Sequence, residues 1–150
     1  MTYCYINLKD TDYTAETEYR VLQPDERYAK TKQMLTIYQE YADYKKFKSV
    51  WPIYQEEFVA EHNDIIAYYD NNDLVAWSMM YKINNRAVEA LQFAWDYRNP
   101  KLKLGIASMK TECAIYKELG YELIILGEAH EYKKQIDGFT VFPSDNLGVK

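Results

Sequence analysis

Residues 91–126 constrain the fold most, because they predict a strand, a glycine turn, a helix and a second strand in direct succession. The turn is centred on Gly105, and the apolar residues after it recur at the spacing of one helix face: Ile106, Met109, Cys113, Tyr116 and Leu119. Gly120 suits the end of that helix, and the apolar run 121–126 predicts a central strand. Two strands joined in this way form a right-handed βαβ crossover, so a parallel strand pair is expected.

The glycine turn is also the first candidate for a binding site. A turn that opens a helix leaves backbone N–H groups without acceptors, and these groups attract phosphate together with the helix dipole. Arg98, Lys101, Lys103 and Lys110 surround the turn and make its local charge positive, although the chain has a net charge of -5. A solvated basic loop is the alternative explanation of this positive charge.

The chain ahead of this unit predicts a strand, two helices and a hairpin. Alternation over residues 3–8 indicates the opening strand, and residues 53–59 have a short helical pattern. Asn and Asp residues at 70–73 join two apolar strands, and these residue types tolerate the positive φ of tight turns. A longer helix is predicted over residues 25–46, and its apolar face contains Tyr28, Leu35, Tyr38 and Ala42.

Residues 87–97 predict a third strand of this meander, and residues 138–142 predict a short last strand. A short helix and an extended loop are both compatible with residues 128–136. Together the elements predict one domain over residues 1–150, in the mixed α/β (α+β) class, with a mostly antiparallel sheet and helices on both faces. Four residues of the third strand alternate onto one face: Glu89, Leu91, Phe93 and Trp95.

The composition limits the classes of function. An isoelectric point near 5.1 argues against broad binding of nucleic acid or anionic membranes, because phosphate affinity depends mainly on Lys and Arg. The sequence contains no apolar run of about 18 residues and opens with no signal-like segment, so we expect a cytoplasmic protein with no membrane partner. Cys4 and Cys113 form no CxxC pair, and Lys134 replaces the second histidine of an HExxH pattern that begins at His130, so no metal site is predicted.

The order of elements and the turn Leu104-Gly105-Ile106-Ala107 resemble the GNAT superfamily of acyl-CoA-dependent N-acyltransferases. The turn of that family reads Gln or Arg, two residues, Gly, one residue, then Gly or Ala. Gly105 and Ala107 match this pattern, whereas Leu102 occupies the polar first position. The resemblance implies a GNAT-like fold, acetyl-CoA or another acyl-CoA as cofactor, and an amine of a small molecule or peptide as acceptor.

The same resemblance implies which residues hold coenzyme A and which carry the chemistry. Glu89 would act as a general base through water, and Tyr132 would protonate the departing thiolate. The alternative for Glu89 is a surface salt bridge, and the alternative for Tyr132 is a packing role. The pyrophosphate would be bound by backbone groups of the turn, at Leu104, Gly105, Ile106, Ala107 and Ser108, and flanked by Lys103 and Lys110. The pantetheine arm would be bound by backbone groups of Phe93, Ala94 and Trp95. A solvated face is the alternative for the two lysines.

Two rival functions share this fold. Leu102, Leu104, the pair Tyr132-Lys133 and the ending 142–145 resemble the GNAT-like domain of arginyl-tRNA protein transferases, which implies an aminoacyl group delivered by tRNA. The acidic charge of the chain makes tRNA the less favoured partner. The second rival is a GNAT-shaped binding or regulatory protein without activity, because fold alone does not determine function. The oligomeric state stays open, a homodimer included.

Overall fold

The computed structural model describes residues 2–46, 60–96 and 103–142. These residues form two α-helices, α1 (Pro24–Lys45) and α2 (Leu104–Glu118), and short 3₁₀ helices at Leu8–Asp10 and Glu131–Gln135. Their strands are β1 (Tyr3–Asn7), β2 (Glu18–Val21), β3 (Asn63–Asp70), β4 (Asp73–Lys82), β5 (Ala87–Trp95), β6 (Leu123–Glu128) and β7 (Phe139–Val141).

The described strands form one seven-stranded sheet in the order β2-β3-β4-β5-β6-β1-β7. The β5–β6 pair is parallel, whereas the other neighbouring pairs are antiparallel. The predicted mixed, mostly antiparallel sheet is therefore confirmed, and so is the crossover in which α2 joins β5 to β6. The strand β2 was not predicted, because an edge strand of four mostly exposed residues has no apolar alternation to detect.

The two helices cover opposite faces of the sheet, as predicted. One core cluster lies on the α2 face and includes Ile6, Met80, Val88 and Tyr116. The other cluster lies on the α1 face and is centred on Trp77, whose indole N–H donates to a backbone carbonyl of α1. β3 and β4 are buried on both sides over most of their length, which explains their long apolar runs.

Helix α1 starts as predicted, and its buried face agrees with the prediction only in part. Pro24 occupies its first turn, and Gln23 and Glu26 form a capping box. Tyr28 is 66% exposed and Leu35 is also exposed, whereas the buried apolar residues are Met34, Ile37 and Ala42. The prediction is confirmed for Ala42, which is buried, and for Tyr38, which packs against the α1-side cluster, and it was wrong for Tyr28 and Leu35. A tyrosine ring can cover apolar surface or face water equally well, so the sequence pattern does not fix its side of the helix.

The hairpin between β3 and β4 is confirmed. Asn71 and Asn72 connect the strands with φ values of 50° and 71°, the left-handed backbone that a two-residue hairpin turn requires. Backbone geometry also decides the residue at Gly138. A Cβ there would overlap the carbonyl oxygen of Asn7, and only glycine lets the chain pass so close before β7.

Strand β5 contains a bulge that overturns its predicted alternation. Met79 is opposite Gln92 and Met80 is opposite Ala90, so Leu91 is the extra residue. A bulge moves every later side chain to the other face, and the predicted face of Glu89, Leu91, Phe93 and Trp95 was therefore wrong. Ala90, Phe93 and Trp95 pack on the α2 face, and Ala94 is buried on the α1 face.

Several predictions lie outside the described residues. These are the second helix over residues 53–59, the position of Leu102 at the glycine turn, and the ending 143–145. The predicted last strand is confirmed as β7, and the segment before it contains a short 3₁₀ helix. Neither α1 nor α2 is apolar over enough of its length to cross a bilayer.

Candidate active site

The sheet opens between its two parallel strands. β5 pairs with β6 only over Ala87–Glu89, opposite Leu123–Ile125. Beyond Glu89, β5 continues to Trp95 along β4, and β6 continues beside β1. Among the described residues, the edge of β5 from Ala90 onward therefore has no partner strand on the β6 side. The two strands diverge, and their separation creates a cleft in the middle of the sheet.

The cleft has a volume of about 540 Å³ and lies between β5, β6 and the start of α2. Such a volume is in the range of small-ligand sites. Tyr41 and Lys45 from the end of α1 and Tyr132 and Lys133 from the second 3₁₀ helix complete its walls. Tyr41 also contacts the rings of β5, with centroids 6.4 Å from Phe93 and 6.2 Å from Trp95.

The glycine turn forms one end of this cleft. Lys103 has a left-handed backbone, with φ at 48°, and α2 starts directly after it without a side-chain cap. Ala107 N–H donates to the carbonyl of Lys103, so the three backbone N–H groups before it, at residues 104–106, have no acceptor within the helix. A Cβ at Gly105 would meet no atom within 4 Å, so the space beside this residue is open.

Seven of the predicted site residues line the cleft and four do not. The seven are Phe93, Trp95, Lys103, Leu104, Gly105, Ser108 and Tyr132. Ser108 is buried, and its hydroxyl donates to the carbonyl of Gly105 at 3.0 Å. Ile106 and Ala107 pack toward the core, and Ala94 is fully buried on the opposite face of the sheet.

Glu89 is the fourth predicted residue outside the cleft. It lies at the last β5–β6 pair, opposite Ile125, where the strands begin to diverge. Val88 before it is buried in the α2-side core, so the side chain of Glu89 points to the other face. Its role as a general base stays a prediction, and its position does not support that role.

Lys110 does not flank the glycine turn as expected. Its Nζ lies 3.3 Å from a carboxylate oxygen of Glu16 and 5.5 Å from the ring centroid of Tyr13. The lysines that do line the cleft are Lys45, Lys103 and Lys133. They give the cleft a positive charge within an acidic protein.

Tyr132 and Lys133 form the wall opposite β5. Burial raises the pKa of the Tyr132 hydroxyl, and the ring of Tyr132 stacks on His130. Lys133 is buried, and its Nζ donates to the carbonyls of Leu126 and Glu128 at 2.9 and 2.6 Å. Burial lowers the pKa of Lys133, and these two hydrogen bonds hold the divergent end of β6.

Sequence reasoning missed a buried polar cluster at the floor of the cleft. Glu112 on α2 is 4% exposed and lines the cleft. The hydroxyls of Tyr68 and Ser78 donate to its Oε2 at 2.9 and 2.8 Å. Burial raises the pKa of Glu112 to about 7, although both hydrogen bonds oppose that rise. The available signal was its spacing, because residue 112 falls on the apolar face three positions after Met109.

No protein-family model and no curated protein matches the sequence. Solved structures do match. N-myristoyltransferase of Saccharomyces cerevisiae, with bound myristoyl-CoA, superposes with a TM-score of 0.63 at 10% identity, over 94% of this chain and 47% of that one. The aminoglycoside acetyltransferase meta-AAC0020 from an uncultured soil metagenomic sample superposes with a TM-score of 0.56 at 12% identity, over 79% of this chain and 80% of that one.

This chain has the GNAT fold. The C-terminal DUF2156 domain of a candidate lysylphosphatidylglycerol synthetase from Agrobacterium fabrum has the same GNAT fold, with a TM-score of 0.68 at 7% identity. That match covers 85% of this chain and 46% of the other, so the chain spans about half the length of that structure. At these identities the likeness shows the GNAT fold alone, and a fold does not determine function.

Proposed function

We propose that this chain is an acyltransferase that moves an acyl group from acyl-CoA to an amine in the cleft between β5 and β6. One observation carries the proposal: two features open into the same cleft, the edge of β5 that no described strand pairs with and the start of α2, which no described side chain caps. Structural neighbours named as acyltransferases, one with bound myristoyl-CoA, support an acyltransferase at the general level.

The start of α2 fits the phosphate end of a coenzyme A thioester. Its N–H groups at residues 104–106, which have no acceptor within the helix, would donate to phosphate oxygens, and the open space beside Gly105 would let those oxygens approach the backbone. Lys103 and Lys45 add positive charge along the cleft. A Cβ with a charged side chain at Gly105 would fill the space that a phosphate group needs.

The edge of β5 fits the extended arm of such a thioester. An extended ligand chain can hydrogen-bond to an unpaired strand edge as an added strand would, and residues 93–95 supply that edge. Phe93 and Trp95 offer apolar surface beside it. Once bound, acyl-CoA would supply a thioester carbonyl for attack and a thiolate leaving group.

Tyr132 is the residue we propose to protonate the thiolate. It lines the cleft, and its hydroxyl, whose pKa lies above the ordinary value of a tyrosine, carries a proton at neutral pH that it can give to the thiolate. Acyl transfer then needs one further group, a base that removes a proton from the ammonium form of the amine.

Acetyl-CoA binding tests the proposal directly. We expect saturating acetyl-CoA to raise the melting temperature of the wild-type chain, because a ligand that binds only the folded state stabilises it. Gly105→Glu should abolish this rise by blocking and repelling the phosphates. Leu119→Glu adds the same charge at the exposed far end of α2 and should keep the rise. An unchanged wild-type melting temperature would contradict the proposal.

The likeness to the lysylphosphatidylglycerol synthetase domain favours a second candidate, in which the acyl group is aminoacyl. Transfer of a labelled amino acid from charged tRNA to a peptide would distinguish this candidate from the first. The net charge of -5 weighs against a tRNA partner. Acetyl-CoA binding without turnover of any amine would instead support a GNAT-shaped binding or regulatory protein.

A further inference from the structure

We propose that the carboxylate of Glu112 binds the ammonium group of the acceptor at the floor of the cleft and takes up its proton. The inference rests on the proposed function, because it names the substrate class of the same cleft, a primary amine. It also assigns the missing base to a residue of α2, in place of Glu89 on β5.

The hydrogen bonds of Glu112 leave one of its oxygens available. Tyr68 and Ser78 both donate to Oε2, which fixes the carboxylate against β3 and β4. Oε1 accepts no hydrogen bond within the described part of the chain. It is also not one of the fully enclosed side-chain oxygens that lack a partner in the described part of the chain. Oε1 therefore opens to the cleft that Glu112 lines.

The surroundings of this oxygen suit a cation. Aromatic rings attract ammonium groups through their negative faces, and four of them line the same cleft: Tyr41, Phe93, Trp95 and Tyr132. Lys133 does not pair with the carboxylate of Glu112, because its Nζ donates to two backbone carbonyls of β6. No ion pair joins Glu112 to any described lysine or arginine.

The positive charge of Lys103 and the carboxylate of Glu112 lie at different points along α2. Glu112 lies eight residues after Leu104, which places it roughly 12 Å from the start of the helix at 1.5 Å per residue. Lys103 is at that start, beside the free N–H groups. An anionic donor held at the start of α2 and a cationic acceptor held at Glu112 therefore occupy different ends of one cleft.

The acid–base properties of the site agree with this geometry. Burial raises the pKa of Glu112 to about 7, so near neutral pH the group can both accept and release a proton. The titratable groups around it are Tyr68 on β3, Tyr132 on the 3₁₀ helix, and Cys113 and Tyr116 on α2. All four have raised pKa values and are neutral at this pH, and the charged groups that share the cleft with Glu112 are Lys45, Lys103 and Lys133.

The proposed step balances in atoms and charge. A proton moves from the ammonium nitrogen to Oε1 of Glu112, which leaves a neutral amine and a carboxylic acid. The amine nitrogen then forms a bond to the carbonyl carbon of the acyl-CoA thioester, and the C–S bond breaks. The thiolate takes the hydroxyl proton of Tyr132, and the nitrogen of the new amide gives up its second proton, which restores the tyrosine hydroxyl through solvent. Glu112 returns its own proton to solvent, so the products are the amide, the free thiol and one proton.

Carbon-13 NMR of the glutamate carboxyl groups tests the site without requiring turnover. The Glu112 signal is assigned by its absence from Glu112→Gln. In the wild-type chain we expect it to titrate near pH 7, and propylammonium chloride should lower that midpoint because a bound cation stabilises the carboxylate. Sodium chloride at equal ionic strength should lower it less. A midpoint that responds equally to both salts would overturn the inference.

Two variants keep the test decisive. Glu118→Gln removes an exposed carboxylate of the same helix and should leave the Glu112 midpoint and its propylammonium response unchanged. Ser78→Ala removes a donor that lowers the pKa of Glu112 and should raise the midpoint, even if Glu112→Gln folds poorly. A Ser78→Ala midpoint equal to the wild-type value would contradict the assigned cluster.

Acetyl-CoA binding, measured by melting temperature on the same proteins, separates this inference from the proposed function. Glu112→Gln should keep the acetyl-CoA response, because Glu112 lies away from the phosphate end. A wild-type chain that responds to propylammonium and not to acetyl-CoA would overturn the proposed function and support the ammonium site. The reverse result would support the cofactor site and overturn the ammonium site.

Discussion

The hydroxyl of Tyr68 donates a 2.9 Å hydrogen bond to Oε2 of Glu112 and thereby joins β3 to α2 beneath the cleft. Both residues are almost completely buried, and Ser78 donates to the same oxygen. Two donors on one oxygen do not offset the cost of burying the charge, since the pKa of Glu112 still lies near 7. The cluster is therefore most stable when Glu112 carries a proton.

The first prediction concerns the pH dependence of stability. The pKa of Glu112 is raised from its ordinary 4.5 to about 7, so between these values the folded chain holds a proton that the unfolded chain has lost. The contribution of Glu112 to stability therefore falls as pH rises through this window, by about 3 kcal/mol at most. Glu112→Gln should remove this loss. The free energy of unfolding of the variant minus that of the wild type should therefore be larger at pH 8 than at pH 5.

Urea unfolding at the two pH values measures this difference. Glu118→Gln is the matched control, because its carboxylate is exposed on the same helix and should keep the wild-type pH dependence. An equal pH dependence in Glu112→Gln and wild type would mean that Glu112 titrates at its ordinary pKa. Such a result would also remove support from the acid–base role proposed for this residue.

The second prediction uses Gly105. Because a Cβ there meets no atom within 4 Å, Gly105→Ala should keep the fold and gain up to about 1 kcal/mol from better helix propensity. The same methyl group would stand in the space proposed for phosphate, so the Kd for acetyl-CoA, measured by calorimetry, should rise about tenfold.

Gly120→Ala is the matched control for that substitution. Gly120 ends the turn after α2 with φ at 92°, so alanine there should cost about 1 kcal/mol of stability while leaving the Kd for acetyl-CoA unchanged. The two variants thus carry the same methyl group with opposite expected effects. Unchanged acetyl-CoA affinity in Gly105→Ala would place the phosphates elsewhere.

The third prediction concerns Tyr132. Tyr132→Phe removes the hydroxyl proposed to protonate the thiolate and keeps the ring that stacks on His130. We expect kcat to fall about 100-fold for any accepted amine, with little change in the Kd for acetyl-CoA. Tyr28→Phe, at an exposed position of α1, should leave both quantities unchanged. A wild-type kcat in Tyr132→Phe would mean that the hydroxyl does not protonate the thiolate and that the ring only packs.

The fourth prediction compares two neighbouring lysines. Lys133→Met leaves the carbonyls of Leu126 and Glu128 without their donor and should cost about 2 kcal/mol of unfolding free energy. Lys134 is exposed and pairs with Glu131, so Lys134→Met should change stability by less than about 0.5 kcal/mol. Chemical denaturation measures both. Equal costs would mean that Lys133 does not hold the end of β6.

Local patterns explain which parts of the fold were predictable. The hairpin at Asn71 and Asn72 and the unit around Gly105 depend on residues close in the chain, so spacing and turn chemistry were sufficient to predict them. The bulge at Leu91 was not predictable in this way. It arises from pairing with β4, and it reverses which side chains of β5 face the cleft.

The sequence by itself determined the class of fold, the order of most elements and the position of the glycine turn, because these follow from local periodicity. The tertiary structure alone decided where β5 leaves β6 and which residues meet there. Glu112 has Tyr68 and Ser78 as partners 44 and 34 residues away in the chain. A buried carboxylate acquires its unusual pKa from groups that only folding brings together, and no local pattern contains that information.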